Sequence, residues 1–189
     1  MMKIGAAFWR RLDMPGHEAA WVERTGDGWL LHGVAVFREG DLPTWLAYEV
    51  ACDEDWATVR GQVRGQAGNE RVAHVIDRTT GTWTVNGAPV AGLDDVVDLD
   101  LGFTPATNLL QLRRVGLAIG EVADFAVAWC DGMTDRLVQL PQHYERRSEH
   151  AYWYESPTSG YAAELIIGRD GFVRVYPGLW EVEEGGGFA

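Results

Sequence analysis

The chain has 189 residues, of which 47% are hydrophobic and 23% are charged. These proportions are typical of a folded globular protein, and they exclude extensive disorder or a fibrous repeat. Acidic residues outnumber basic residues by 28 to 16, which gives a formal net charge of -12. Such a charge repels phosphate backbones and anionic bilayer surfaces, so we do not expect nucleic acid as a partner.

The sequence shows no targeting or membrane-spanning pattern. Residues 1–11 lack the apolar segment of a signal peptide, and no stretch approaches the roughly 18 apolar residues of a transmembrane helix. We therefore expect a cytoplasmic protein without integral membrane association. Cys52 and Cys130 lie far apart and form no Cys-x-x-Cys pair, so we expect both to be reduced core residues.

The first half of the sequence predicts strands separated by turns. Residues 18–24 could supply a helical turn or two. Residues 29–37 and 44–52 are rich in β-branched and aromatic residues or alternate in polarity, and they predict a hairpin. The core face of the second strand is expected to carry Leu46, Tyr48, Val50 and Cys52. Further strands are predicted at residues 57–64, 71–78 and 82–85, before the hairpin-turn pair Asn86-Gly87.

The hydrophobic pattern changes at the start of the second half. Residues 96–114 mix polar and apolar residues without a sustained period, which predicts a short strand leading into a connector. Residues 107–115 could add a helical turn or two. Strands are then predicted at residues 121–130, 137–146, 150–155, 161–167 and 172–176, separated by Gly- and Pro-containing turns.

The chain is therefore predicted to be all-β with little helix. No segment shows twelve residues of helical period, and turn signals recur every 8–12 residues, which favours a single-domain antiparallel β-roll or barrel. No Gly/Ser-rich or Pro-rich linker divides the halves, so one domain is expected over residues 1–182. Residues 183–189 are acidic and Gly-rich and are expected to form a flexible tail.

One segment resembles the signature of a known family. Residues 97–108 read Val-Asp-Leu-Asp-Leu-Gly-Phe-Thr-Pro-Ala-Thr-Asn, and Arg113 and Arg114 follow. This string resembles the signature of a bacterial family named putative glycolipid-binding proteins. Further landmarks in the family's order lie at residues 9–12, 16–18, 28–29, 144, 152–156 and 176–180, so the resemblance spans nearly the whole chain. It implies a closed or spiral antiparallel β-roll, and the family name suggests a glycolipid as a hypothetical ligand.

The acidic pair within this segment is the first candidate for chemistry. Asp98 and Asp100 lie two residues apart, so in a strand their carboxylates share a face, with Cβ atoms about 6.5 Å apart. Two carboxylates without further acidic or His ligands are a weak metal signal, and neither a metal nor a cofactor is expected. Arg113 and Arg114 could pair with them in a salt-bridged structural corner. Three turn and capping residues would brace such a corner: Thr104, Thr107 and Asn108.

The alternative is that this polar cluster faces a cavity. Its members would then bind sugar hydroxyls or a phosphate-bearing headgroup, with Arg113 or Arg114 supplying the positive charge. The chain also contains nine Trp residues, most of which are expected in the core. Some aromatic side chains could instead line a pocket that holds both a sugar ring and an alkyl chain. The aromatic candidates for such a pocket are Tyr144, Tyr154, Tyr176 and Trp180.

Three function hypotheses follow. The first is a protein that binds an amphiphilic small molecule, such as a glycolipid, without catalysis. The second is an enzyme acting on a sugar or lipid headgroup with a carboxylate from Asp98, Asp100 or Glu155 as acid or base. The third is an interaction module that forms a homodimer through an exposed strand. We favour the first, because no hydrolase, zincin or phosphate-loop motif is present, and adjacent His17 and Glu18 point in different directions along a strand.

Overall fold

A computed structural model describes residues 2–183 and shows, over that range, one sheet of fifteen strands and one short α-helix. The expected tail falls almost entirely outside the described residues. The elements in chain order are β1 (Met2–Arg11), β2 (Gly16–Arg24), β3 (Trp29–Glu39), β4 (Leu42–Cys52), β5 (Thr58–Ala67), β6 (Glu70–Thr79), β7 (Thr82–Val85), β8 (Ala88–Val90), β9 (Asp98–Leu101), α1 (Asn108–Val115), β10 (Val122–Cys130), β11 (Val138–Arg146), β12 (Ala151–Ser156), β13 (Tyr161–Ile167), β14 (Val173–Tyr176) and β15 (Trp180–Val182).

The sheet consists of two runs of neighbouring strands joined where the two ends of the chain meet. The strand order is β8-β7-β6-β5-β4-β3-β2-β1-β15-β14-β13-β12-β11-β10-β9. Strands β1 and β15 pair antiparallel, with Trp9 opposite Val182 and Arg11 opposite Trp180. The indole Nε1 of Trp9 donates a hydrogen bond to the Val173 carbonyl at 2.7 Å, which ties this junction to the second run.

The connection between β8 and β9 requires the sheet to curl. These two strands are the opposite edges of the sheet, yet only residues 91–97 join them. Such a segment reaches at most about 28 Å, whereas the edges of a flat fifteen-stranded sheet lie about 67 Å apart. The curl brings β9 against β5, where the Leu99 amide donates to Thr58 Oγ1 at 3.0 Å.

The mostly-β prediction is confirmed, but the expectation of a closed, wholly antiparallel barrel is wrong. Strand β9 pairs in parallel with β10, so the sheet is mixed. The other edge of β9 contacts β5 through a bond to the Thr58 side chain and not through a ladder of backbone hydrogen bonds, so the sheet stays open. The suggested helical turns over residues 18–24 are also wrong. Burial alternates there at Glu18, Ala20 and Val22, which is the period of a strand. Helical turns at residues 107–115 are confirmed as α1.

The concave side of the sheet holds the core. The expected inward face of β4 is confirmed, because Leu46, Tyr48 and Val50 are fully or almost fully buried. Both cysteines are buried and free, as expected. Burial raises the pKa of Cys52 to about 12 and that of Cys130 to about 11. Both thiols are therefore protonated and unreactive at neutral pH.

No helix within residues 2–183 is long and apolar enough to cross a membrane.

The contact between β5 and β9 predicts a sensitive glycine. A Cβ added at Gly61 would lie 2.3 Å from Leu99 Cδ2, and Leu99 is fully buried. We expect Gly61→Ala to lower the free energy of unfolding by about 1–3 kcal/mol, because the core cannot absorb the extra methyl group. Urea denaturation measures the change.

A matched control is Gly26→Ala, since nothing lies within 4 Å of a Cβ at Gly26. We expect this variant to stay within about 0.5 kcal/mol of the parent protein. Combining Gly61→Ala with Leu99→Val should recover part of the loss by restoring space. An unchanged stability of Gly61→Ala would show that β9 does not press on β5 as described.

Candidate functional site

The candidate site is built where β9 runs into α1. All four residues of β9 are buried, and the loop after it leads directly to Asn108, the first residue of α1. The first turn of α1 is buried through Leu109 and Leu110. The helix ends at Gly116, whose φ of 61° is a left-handed conformation that glycine adopts without strain. These elements fix the polar side chains of the segment in the interior.

Asp98 forms a buried ion pair with Arg114. The guanidinium donates through Nε at 2.7 Å and through Nη2 at 2.6 Å, one bond to each carboxylate oxygen. Asp98 is completely buried, and the Arg114 side chain is 25% exposed. The hydrogen bond to Asp98 raises the pKa of Arg114 above its ordinary value. This half of the expected salt-bridged corner is therefore present.

The other half of that corner is not formed. Arg113 does not reach either aspartate, and its Nη2 donates to the Asp170 carbonyl at 2.9 Å. The reason is helical geometry, because consecutive residues of α1 point about 100° apart and only Arg114 faces β9. The expected pairing of Arg113 with a carboxylate is wrong.

Asp100 is held by neutral donors instead of arginine. Thr107 Oγ1 donates to Oδ1 at 2.7 Å, and Gln142 Nε2 donates to Oδ2 at 2.8 Å. Burial raises the pKa of Asp100, while these two hydrogen bonds act in the opposite direction. The carboxyl group is thus fixed in position and lies at the edge of an open space.

A hydrogen-bond chain fixes the start of α1. Asn108 Nδ2 donates to the Tyr144 hydroxyl at 2.7 Å, and that hydroxyl donates to Gln111 Oε1 at 3.0 Å. All three residues are buried. Burial raises the pKa of Tyr144 well above its ordinary value, so the phenol stays neutral and can donate. Asn108 therefore presents a fixed amide to the same open space as Asp100.

The open space is a cleft of about 530 Å³, which we call the β9–β12 cleft. Its volume lies in the range of small-molecule binding sites. The residues that line it are Asp100, Gly102, Thr104, Asn108, Trp129, Val138, Gln139, Leu140, Tyr154, Ser156, Thr158, Ser159, Tyr161, Tyr176, Leu179 and Trp180.

One wall of the cleft is aromatic. Tyr161 and Tyr176 stack with ring centroids 5.3 Å apart, and Tyr154 lies 5.8 Å from Tyr176. Trp180 and Trp129 add indole surface to the lining, and the Trp129 ring lies over Gly102, where any Cβ would collide with it. Asp100 and Asn108 add the polar groups of β9 and α1 to the same lining. The cleft therefore offers aromatic faces together with hydrogen-bonding groups.

The candidates from the sequence fall into three groups. Six of them line the cleft: Asp100, Thr104, Asn108, Tyr154, Tyr176 and Trp180. Thr107 and Tyr144 lie behind the wall and hold Asp100 and Asn108 in place. Asp98 and Arg114 pair with each other, and Arg113 lies outside the cleft.

The sequence analysis did not identify several of the lining residues. Trp129 lies on β10, and its approach to Asp100 depends on the parallel β9–β10 pairing, which leaves no signal in the sequence. Tyr161 is different, because β12 and β13 were both predicted as strands. Pairing Ser156 opposite Tyr161 across the short turn at residues 157–160 would have placed Tyr161 beside the cleft.

A buried carboxyl group adjoins the cleft, that of Glu18, which the sequence analysis considered only as a partner of His17. Glu18 is 1% exposed, and its Oε1 accepts hydrogen bonds from Tyr48 and from Thr104, each at 2.5 Å. Its Oε2 has no hydrogen-bond partner among the described residues. Burial raises the pKa of Glu18 to about 7. His17 lies on the outer face of the sheet and stacks on Phe8, so the two neighbours do point in different directions.

No group of three or more His, Cys, Asp or Glu side chains that could hold a metal ion occurs between residues 2 and 183.

Comparisons with known proteins agree on the fold. The sequence profile of a family described as "Putative glycolipid-binding" matches residues 6–182. The crystal structure of a DUF1089 family protein, PA1994 from Pseudomonas aeruginosa, is similar, with a TM-score of 0.77 and 24% sequence identity. That similarity covers 88% of this chain and 91% of the other, and at this identity it shows a shared fold. No curated protein matches the chain.

Proposed function

The chain belongs to the family described as "Putative glycolipid-binding", and on that basis we propose that it binds one amphiphilic molecule with an uncharged sugar headgroup in the β9–β12 cleft. The observation that carries the proposal is the combination of aromatic faces and buried polar groups in one cleft. Sugar rings stack on aromatic faces through their C–H groups, and their hydroxyls need both donors and acceptors. The lining supplies these features together.

The charge of the lining supports a neutral headgroup. Asp100 is the single ionisable acid among the lining residues, and no Arg, Lys or His is present there. An anionic headgroup would meet a carboxylate without a compensating cation, which is unfavourable in a half-enclosed site. Sugar hydroxyls, by contrast, can donate to Asp100 and exchange hydrogen bonds with Asn108.

The apolar part of the lining supports an alkyl chain. Val138, Leu140 and Leu179 lie beside the tyrosines and Trp180. Removing apolar surface of the ligand from water contributes about 0.8 kcal/mol for each CH₂ group that becomes buried. A short acyl or alkyl segment would therefore strengthen the binding of a sugar that binds weakly alone.

Of the three carboxylates that the enzyme hypothesis named, Asp100 lines the cleft, while Asp98 and Glu155 do not. Glu155 accepts a hydrogen bond from Trp153 Nε1 at 2.7 Å. Asp98 is completely buried and paired with Arg114, so it cannot act on a ligand in the cleft. Asp100 alone remains at the lining, with both of its oxygens already accepting hydrogen bonds. We therefore propose binding rather than catalysis.

The interaction-module hypothesis retains one supporting feature. The outer face of β1, β3 and β4 exposes large apolar side chains: Phe8, Val34, Val36 and Trp45. A homodimer through this face stays a prediction. The cleft is the stronger feature because it combines enclosure with specific polar groups.

The proposal predicts binding of a defined glycolipid mimic. We expect dodecyl maltoside, kept below its micelle concentration, to bind one molecule per chain in native mass spectrometry. We expect maltose and dodecanoate to bind much more weakly, since each supplies half of the contacts. Substituting Thr158→Trp places a large side chain at an exposed turn residue that lines the cleft, and it should weaken binding by at least about tenfold, or 1.4 kcal/mol.

The control is Gln62→Trp, which introduces the same side chain at an exposed residue of β5 outside the cleft. It should bind dodecyl maltoside as the parent protein does. Equal binding by Thr158→Trp and Gln62→Trp would place the ligand elsewhere, and no binding by the parent protein would reject the mimic as a ligand.

A further inference from the structure

A second pocket lies at the C-terminal end of α1 and shares no lining residue with the β9–β12 cleft. Its volume is about 420 Å³, and we call it the arginine pocket. The residues that line it are Leu112, Arg113, Gly116, Arg146, Glu149, His150, Tyr152, Ile167, Gly168, Arg169 and Gly171. The function proposed for the cleft does not use this pocket.

The charge of this pocket is opposite to that of the protein. Three of the sixteen basic residues of a chain with net charge -12 line it, together with His150. The lining includes one acid, Glu149, which is exposed and lies 3.6 Å from His150. Positive charges repel one another, so their convergence costs free energy unless an anion lies between them. In an acidic protein this local excess is a specific feature rather than a consequence of composition.

The three arginines lack carboxylate partners. Within residues 2–183, no ion pair involves Arg113, Arg146 or Arg169, whereas Arg114 next to Arg113 is paired with Asp98. The nearby carboxylate of Asp170 is already engaged, because its Oδ2 accepts from Arg174 at 2.7 Å. The positive charges of the pocket are therefore available to a ligand.

The geometry holds part of this charge in a fixed position. Arg146 donates to the carbonyls of Leu117, Ser148 and Glu149, and its guanidinium lies 5.5 Å from the Tyr152 ring. These contacts fix the guanidinium without neutralising it. Arg113 is held by one hydrogen bond to a carbonyl, which leaves its other N–H groups free, and Arg169 is exposed at the rim. Two guanidinium groups held by hydrogen bonds and one exposed guanidinium group thus line one space.

From this arrangement we propose that the arginine pocket binds the phosphate group of a phosphomonoester. Arginine presents planar N–H forks that match phosphate oxygens, and a dianion matches the excess of positive charge better than a carboxylate does. Leu112, Ile167 and Tyr152 form an apolar floor beside the charged groups. The phosphate group can belong to a small phosphorylated metabolite or to a lipid headgroup.

The two sites lie at opposite ends of α1. Asn108 at its first residue faces the cleft, and Arg113 in its last turn faces the arginine pocket. An eight-residue helix is about 12 Å long, so two ligands can bind at once. The arginine pocket does not depend on the function proposed for the cleft.

Isothermal titration calorimetry in a phosphate-free buffer tests the proposal. Inorganic phosphate should bind with one site per chain, and dihexanoyl phosphatidate below its micelle concentration should bind to the same site. We expect Arg113→Gln and Arg169→Gln each to weaken phosphate binding about tenfold, the size of one lost charged hydrogen bond. Arg136→Gln, at an exposed arginine outside both sites, is the matched control and should change nothing.

One comparison distinguishes the two sources of the phosphate group, and another distinguishes the two sites. Tighter binding of phosphatidate than of phosphate supports a lipid headgroup, and equal binding supports a small phosphomonoester. Thr158→Trp should leave phosphate binding intact, so failure of the cleft proposal does not affect this one. The proposal is overturned if the parent protein binds neither probe, or if an Arg113→Gln/Arg169→Gln variant that melts normally binds phosphate as tightly as the parent.

Discussion

Arg114→Ala is expected to be among the most destabilising single substitutions in this protein. It leaves the Asp98 carboxylate completely buried without its cation, because both oxygens lose their bonds to the guanidinium. Removing one partner of a buried ion pair costs about 3–5 kcal/mol. Since Arg114 is partly exposed and water can enter its place, we expect about 3 kcal/mol in urea denaturation at pH 7.

The neighbouring residue provides the control. Arg113→Ala removes the same side chain from the same helical turn but breaks a hydrogen bond to a carbonyl and a contact 6.0 Å from the Trp56 ring, so we expect a loss of about 1 kcal/mol. Adding Asp98→Asn to Arg114→Ala should recover part of the stability, because the buried charge is then absent. Equal losses for Arg113→Ala and Arg114→Ala would show that helix formation, rather than the ion pair, sets the cost.

Glu18 is expected to make stability fall as pH rises. Burial raises its pKa in the folded protein to about 7, above its ordinary value of 4.5. The folded state therefore holds the proton more tightly than the unfolded state. The resulting stabilisation is complete below about pH 4.5 and is lost as pH rises through 7, by about 3 kcal/mol in all.

Glu18→Gln tests this by replacing the carboxyl group with a neutral group of the same shape. We expect the variant to be more stable than the parent above pH 7 and to lack this part of the pH dependence. The measurement is urea denaturation between pH 4.5 and 8.5, with the difference between parent and variant plotted against pH. The raised pKa of Asp100 acts in the same direction, but it is common to both proteins and cancels in the difference.

Glu49→Gln is the control for that experiment, because Glu49 is an exposed residue on the outer face of β4. It should leave the pH profile unchanged. A difference between Glu18→Gln and the parent that stays constant over the whole pH range would mean that Glu18 does not titrate in this window.

The strands were predictable because their residues carry the pattern of a half-buried sheet. In β4, apolar residues alternate with polar or small ones, and Leu46, Tyr48 and Val50 lie on the core side as expected. Strand β2 shows the limit of that approach, because the inward residue Glu18 is acidic and breaks the apolar pattern. Its burial is tolerated through bonds from Tyr48 and Thr104, which lie 30 and 86 residues away in the sequence.

The site was predictable only in part, for the same reason. The segment from Asp98 to Asn108 stood out through its composition and its resemblance to a family signature, and most of its polar members do reach the cleft or its supporting wall. The aromatic wall depends on how the sheet curls. Short-range patterns cannot show that Trp129 comes near Asp100, because the strand that carries Asp100 crosses to the far edge of the sheet and pairs there with β10.

The pairing of β1 with β15 has a consequence for how the chain can fold during synthesis. From β9 to β15, and again from β1 to β8, neighbouring strands in the sheet are also neighbours in the sequence. The exception is the pair of β15 and β1, which are the last and first strands of the sequence. On the ribosome, β1 emerges before the other strands of the sheet but gains its second neighbour only when residues 180–182 have been made. Until then β1 is an exposed edge, and unpaired strand edges favour aggregation. A circular permutant that begins at residue 98 and joins the old ends by a short linker would form every strand pair between sequence neighbours, and we expect it to fold faster than the natural order.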